Sequence, residues 1–200
     1  YLSQRNIRKA LAYGIDTEKI LENAYMGDGI LTDTIYYPDF LGVKDTLNEY
    51  SYDIKKAEQM LLEMGWKDIN SDGALEDRDG NEFVLKILVE KNNATRVSAS
   101  QLIKKNLELL GIKTEIISLS KSEYIKSIKK KDFDILVTGY TIEESYDLRE
   151  LFNGKNQWGY NNYSLFMKAM AQGKILLKED GLHPNEAGYN ILKDAIETKL

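Results

Sequence analysis

The sequence predicts an α/β fold in which helices are layered on a crossover-connected sheet. Three apolar runs, FVLKILV (Phe83 to Val89), TEIISL (Thr114 to Leu119) and FDILVT (Phe133 to Thr138), have the length and β-branched content of strands. The stretches between them, Ser98 to Leu110 and Ser122 to Lys130, read as amphipathic helices, and strands that alternate with helices in this way form a layered lobe. With 42% hydrophobic residues in 200 positions the chain can bury one sizeable core or two small ones, which excludes a disordered polymer.

Each element has a local reason. Asn6 to Gly14 and Thr17 to Met26 read as a helical hairpin: Ile7, Ala10 and Leu11 share one face, and Asp16 or Thr17 supplies the cap between the two helices. Tyr36, Tyr37, Pro38 and Asp39 mark a loop of aromatic character. Asp53 is placed to cap a helix that carries Ile54, Ala57, Met60, Leu61 and Met64 at helical spacing and ends at Gly65. Far downstream, Pro184 starts a last helix with Ala187, Ile191, Leu192, Ala195 and Ile196 as its apolar stripe.

Charge and composition remove several functional classes. A net charge of -5 argues against a nucleic-acid partner, because phosphate binding needs a basic face. Lys126 with Lys129 to Lys131 forms the one lysine cluster and reads as a solvated helix face. Cysteine is absent, which suits an exported domain without disulfides and a cytosolic one equally. No apolar run approaches the ~20 residues of a membrane span, so direct membrane insertion is not expected. Tyr1 opens directly in polar sequence with neither a signal peptide nor a lipid-anchor cysteine, so the export signal of an exported parent would lie outside this chain. Nothing in the sequence calls for a cofactor.

Four segments follow one another in a particular order: RKALAYGID (Arg8 to Asp16), LLEMGWKDINSDGALEDRDG (Leu61 to Gly80), FDILVTGY (Phe133 to Tyr140) and GYNN (Gly159 to Asn162). This series resembles the C-terminal lobe of the solute-binding proteins that serve oligopeptide, dipeptide and nickel ABC transporters, and it covers residues 1 to 162. The resemblance implies a single layered lobe of the type II periplasmic-binding-protein kind, a mixed sheet flanked by helices, with an extra C-terminal helix beyond it. It implies capture rather than catalysis: a peptide ligand, an ABC permease as partner, and an extracytoplasmic location for the parent protein. Nickel or sugar are further ligand types of the same family. Members are two-lobed with the ligand between the lobes, and nothing in this chain looks like the N-terminal lobe, so the chain is expected to form half of a binding cleft.

Within that resemblance, Gly139-Tyr140-Thr141-Ile142-Glu143 aligns with the family's Gly-Trp-x-x-Asp stretch at the cleft wall. The aspartate of that motif receives the α-ammonium group of a peptide. Glu143 keeps the charge and reaches one methylene farther, while Tyr140 stands for the tryptophan. A carboxylate in a partly dry cleft forms a strong charge-assisted hydrogen bond with an ammonium, which suits recognition of varied peptides. The alternative is an exposed acidic loop of Glu143, Glu144 and Asp147. Trp158 and Tyr160 line a ligand or pack the edge of the lobe, and packing is the commoner fate of large aromatics.

Asp68, Asn70, Asp72 and Asp79 put oxygen donors at positions 1, 3, 5 and 12 of a calcium-type loop, with Gly73 at position 6 and Leu75 at position 8. Position 12 is Asp instead of the longer Glu, and the exit runs into a strand instead of a second helix. The resemblance implies an ordinary turn at this place, so an Asx-rich turn is the favoured reading over a metal site.

Past Asn162 the pattern changes. Tyr163 to Ala171, followed by DGLHPNEAGY (Asp180 to Tyr189), is similar to the closing block of GDSL-type esterases, and residues 163 to 200 read as a helical tail of that kind. The resemblance implies Asp180 as the acid and His183, the chain's single histidine, as the base of a triad. An acid-base pair needs a nucleophile, and the nearest string to a Gly-Asp-Ser motif is Gly27-Asp28-Gly29. An esterase remnant that supplies Asp180 and His183 to a serine on another chain, or an inactive folded fragment, is therefore the alternative to a binding module.

Overall fold

The computed structural model describes residues 1–32 and 50–139 of the chain. The chain divides into two compact units, 1–127 with 132–138 and 128–131 with 139–200, and the described residues fall almost wholly in the first. Tyr140, Glu143, Trp158, Asp180, His183 and the expected last helix lie outside the described residues.

Three helices precede the sheet. Helix α1 spans Arg5–Gly14 and α2 spans Thr17–Ala24, with α2 capped by Asp16, whose carboxylate accepts the Lys19 N–H at 3.0 Å. That settles the cap as Asp16 instead of Thr17. The second helix ends two residues sooner than its apolar pattern suggests, because Met26 (φ 56°) and Gly27 (φ 74°) turn the chain into the left-handed region. Asp53 caps α3 (Ile54–Glu63) through the Lys56 N–H at 3.0 Å. Gly65, at φ 92°, closes α3, and the Trp66 N–H reaches back to the Leu61 carbonyl at 3.0 Å.

The sheet follows as β1 (Val84–Glu90), α4 (Ala94–Leu109), β2 (Lys113–Leu119), α5 (Lys121–Lys130) and β3 (Ile135–Val137). Its strand order is β2-β1-β3, and both pairings are parallel. The antiparallel pairings among the described residues are isolated bridges, Lys67 with Glu76 and Glu76 with Glu82. Parallel neighbours cannot be joined by a tight hairpin, which is why each connection carries a helix.

Helix α4 begins four residues ahead of the apolar stretch expected at Ser98. Asn93 caps it, accepting the Arg96 N–H at 2.9 Å, and the Ser100 hydroxyl donates back to the Arg96 carbonyl at 2.8 Å, so a polar first turn is satisfied internally. Strand β3 is shorter than FDILVT, because Asp134 leaves the ladder's regular course. Its N–H donates to the Lys86 carbonyl at 3.0 Å, and its carboxylate accepts the Lys86 N–H at 2.8 Å.

The core lies where α1, α3 and α4 meet one face of the sheet. Ile7 and Ala10 of α1, Ala57 and Leu61 of α3, Leu85 and Ile87 of β1, and Leu107 of α4 belong to one buried cluster with Trp66, Phe83 and Ile112. Leu88, which alternates with Ile87 along β1, is also fully buried, as a central parallel strand requires. Tyr1, Trp66 and Phe83 form an aromatic group with ring centroids 4.4 to 5.1 Å apart. Helix α2 is tied to α4 by the Asp16 N–H, which donates to Asn106 Oδ1 at 3.1 Å. Among the described residues no helix is long and apolar enough to cross a membrane.

Candidate functional site

Strand β1 has a parallel neighbour on each side. From β1 the chain leaves toward α4 and β2, whereas β3 lies on the opposite side of β1. In open α/β sheets ligands are held outside the carboxyl ends of the strands. The last paired residues of β1 and β3 are Val89 and Val137, so Glu90 to Asn93 and Thr138 to Gly139 emerge side by side at this edge.

What fixes that edge is polar and local. Asn93 is committed to capping α4, and the Lys91 N–H donates to the Leu119 carbonyl at 2.8 Å, which holds the β1 exit against β2. Tyr124, buried on α5, donates its hydroxyl to the Val137 carbonyl at 3.2 Å. Asp134 fixes the entry of β3 against Lys86. The segment that carries Tyr140 and Glu143 in sequence therefore departs from a strand secured at both ends. Tyr124 and Asp134 were not singled out by sequence reasoning. Their only signals were an aromatic on the apolar face of α5 and an acid at the start of a short apolar run.

The second candidate is the turn that precedes β1. Asp68 accepts the Asp72 N–H at 3.1 Å and the Gly73 N–H at 3.0 Å; Asn70 Oδ1 accepts the Asp72 N–H at 2.8 Å; Asp72 accepts the Ala74 N–H at 2.8 Å. These are the contacts of an Asx-rich turn. The carboxylate that joins Asp68 and Asp72 is Glu76, with ligand-type oxygens of the three within 4.8 Å of one another. Glu76 is buried and accepts the Ile69 N–H at 2.8 Å and Asn70 Nδ2 at 3.0 Å.

Asp79 is not part of that group. It sits on the following turn, where Asp77 Oδ1 accepts the N–H groups of Asp79 and Asn81, each at 2.9 Å. Spacing therefore brings Asp68, Asn70 and Asp72 together but selects the wrong fourth residue. The Asn81 side chain, followed by these backbone N–H groups, holds the Asp77 carboxyl below its ordinary pKa. Beside this turn a shallow depression of about 370 Å³ is lined by Asp72, Gly73, Gly111 and Lys113 among others. Lys113 pairs there with Glu82 at 2.6 Å, which raises the lysine's pKa.

Comparison with known proteins agrees with this architecture. AppA, an oligopeptide-binding protein of Bacillus subtilis, is 30% identical over 174 residues, which cover 84% of this chain and 31% of AppA. The dipeptide-binding protein of Escherichia coli is 23% identical over 140 residues, 70% of this chain and 24% of that protein. The solved structure of Bacillus subtilis AppA in complex with a nonapeptide superposes with a TM-score of 0.76 at 25% identity, covering 98% of this chain and 40% of that one. The chain thus spans 24% to 31% of the length of these two curated relatives. The family model described as bacterial extracellular solute-binding proteins, family 5 middle, matches residues 1–188. That match runs through Asp180 and His183, so the esterase resemblance of the tail is not upheld: both residues fall within the span of the solute-binding family itself. With its parallel sheet, its flanking helices and this match over nearly its whole length, the chain belongs to the bacterial extracellular solute-binding proteins, family 5.

Proposed function

We propose that this chain is part of the ligand-holding body of an extracytoplasmic solute-binding protein that delivers peptides to an ABC permease. The observation that carries the reading is its similarity over 84% of its length to a protein named for oligopeptide binding. In this reading Glu143 receives the peptide's α-ammonium group, and Tyr140 and Trp158 line the pocket around it. The role of Glu143 is supported by its place in the sequence, just beyond the exit of β3, at the edge where an open α/β sheet holds its ligands. A carboxylate that reads only the amine leaves the side chains of the peptide free to vary.

In this reading Asp180 and His183 form no catalytic pair, because acyl transfer would need a serine nucleophile activated beside them.

The test is a calorimetric titration of di- to pentapeptides into the chain, with its far-ultraviolet circular dichroism recorded first to establish that it is folded. Saturable heat with free peptides, weakened with N-acetylated ones, supports amine recognition. Equal heat with both sets overturns the role of Glu143 and leaves peptide binding standing. A folded chain that gives no heat with either set means that the other lobe is essential for holding peptide or that this portion is inert.

A further inference from the structure

We draw no further inference here: the strongest candidate, the Asp68–Asp72–Glu76 carboxylate cluster in the turn before β1, is an acidic cluster whose three members already accept amide hydrogen bonds from their own turn, and no second observation points to a ligand.

Discussion

Gly14, the last residue of α1, and Leu110, which closes α4, stand so close that a Cβ on Gly14 would lie 2.4 Å from Leu110 Cδ1 and 3.6 Å from the Ala57 Cβ. The absence of a side chain at Gly14 lets α1 meet α3 and α4 at one point. Leu110 is itself buried, so it has little room to yield. Overpacking of this kind costs about 1–3 kcal/mol, against which the better helix propensity of alanine returns little at a helix end. Gly14→Ala should therefore lower the stability measured by urea unfolding by about 1–2 kcal/mol. In combination with Leu110→Ala the added cost should shrink, because the clash has been removed. A single variant as stable as the parent would sink this account of the helix junction.

Glu76 predicts a second loss. Its two carboxylate oxygens accept from the Ile69 N–H and from Asn70 Nδ2 while the side chain is buried. Glutamine retains one acceptor oxygen and puts a donor where the other was, which leaves one of these groups facing an N–H. Glu76→Gln should cost about 1–3 kcal/mol in urea unfolding, the usual penalty for an unsatisfied buried group. A neutral result would mean that the turn rearranges around the amide.

How far this was legible in the sequence depends on the range of the interaction. The caps at Asp16 and Asp53 and the stop at Gly65 were readable, because each is a contact within a few residues of the chain. So was the alternation of strands and helices. The start of α4 was missed because Asn93 sits in a polar stretch that apolar periodicity does not mark, and the shortened β3 was missed because Asp134 bonds to Lys86, 48 residues away. In the turn before β1, spacing places residues along the chain but not in space: it named Asp79, whereas the fold of the turn brings Glu76 to Asp68 and Asp72.

The same turn predicts indifference to calcium. Its carboxylates already accept the N–H groups of Ile69, Asp72, Gly73 and Ala74, so the loop is organised without an added cation. The thermal midpoint should be the same in millimolar calcium as in EDTA. A ligand that binds the folded state alone raises that midpoint, so a rise with calcium would overturn the Asx-turn reading in favour of a metal loop.

Asp77 makes a pH-dependent contribution of known sign. The Asn81 side chain, with the N–H groups of Asn81 and Asp79, holds its folded pKa below the ordinary value. A depressed carboxylate pKa stabilises the fold above the unfolded-state value of about 3.9, and that contribution is lost as pH falls through the lower, folded value. Comparison of urea midpoints for the parent and Asn81→Ala should show a gap that is complete at neutral pH and narrows as the solution is acidified below about pH 4. A gap of constant size across that range would assign the role of Asn81 to neutral hydrogen bonding alone.

The proposed peptide contact is tested most sharply by crossing a protein variant with a ligand variant. If Glu143 receives the α-ammonium group, Glu143→Gln removes a charge-assisted hydrogen bond, which contributes about 1.5–3 kcal/mol when shielded from water. The dissociation constant for a free-amine peptide should then rise about 10- to 150-fold, since each 1.4 kcal/mol is a factor of ten. An N-acetylated peptide has no ammonium to lose, so its affinity should hardly change between the parent and Glu143→Gln. Equal weakening for both peptides would mean that the substitution disturbs the pocket generally, and no weakening for either would return Glu143 to an exposed acidic loop. Only a loss confined to the free-amine peptide is what an amine-reading carboxylate requires.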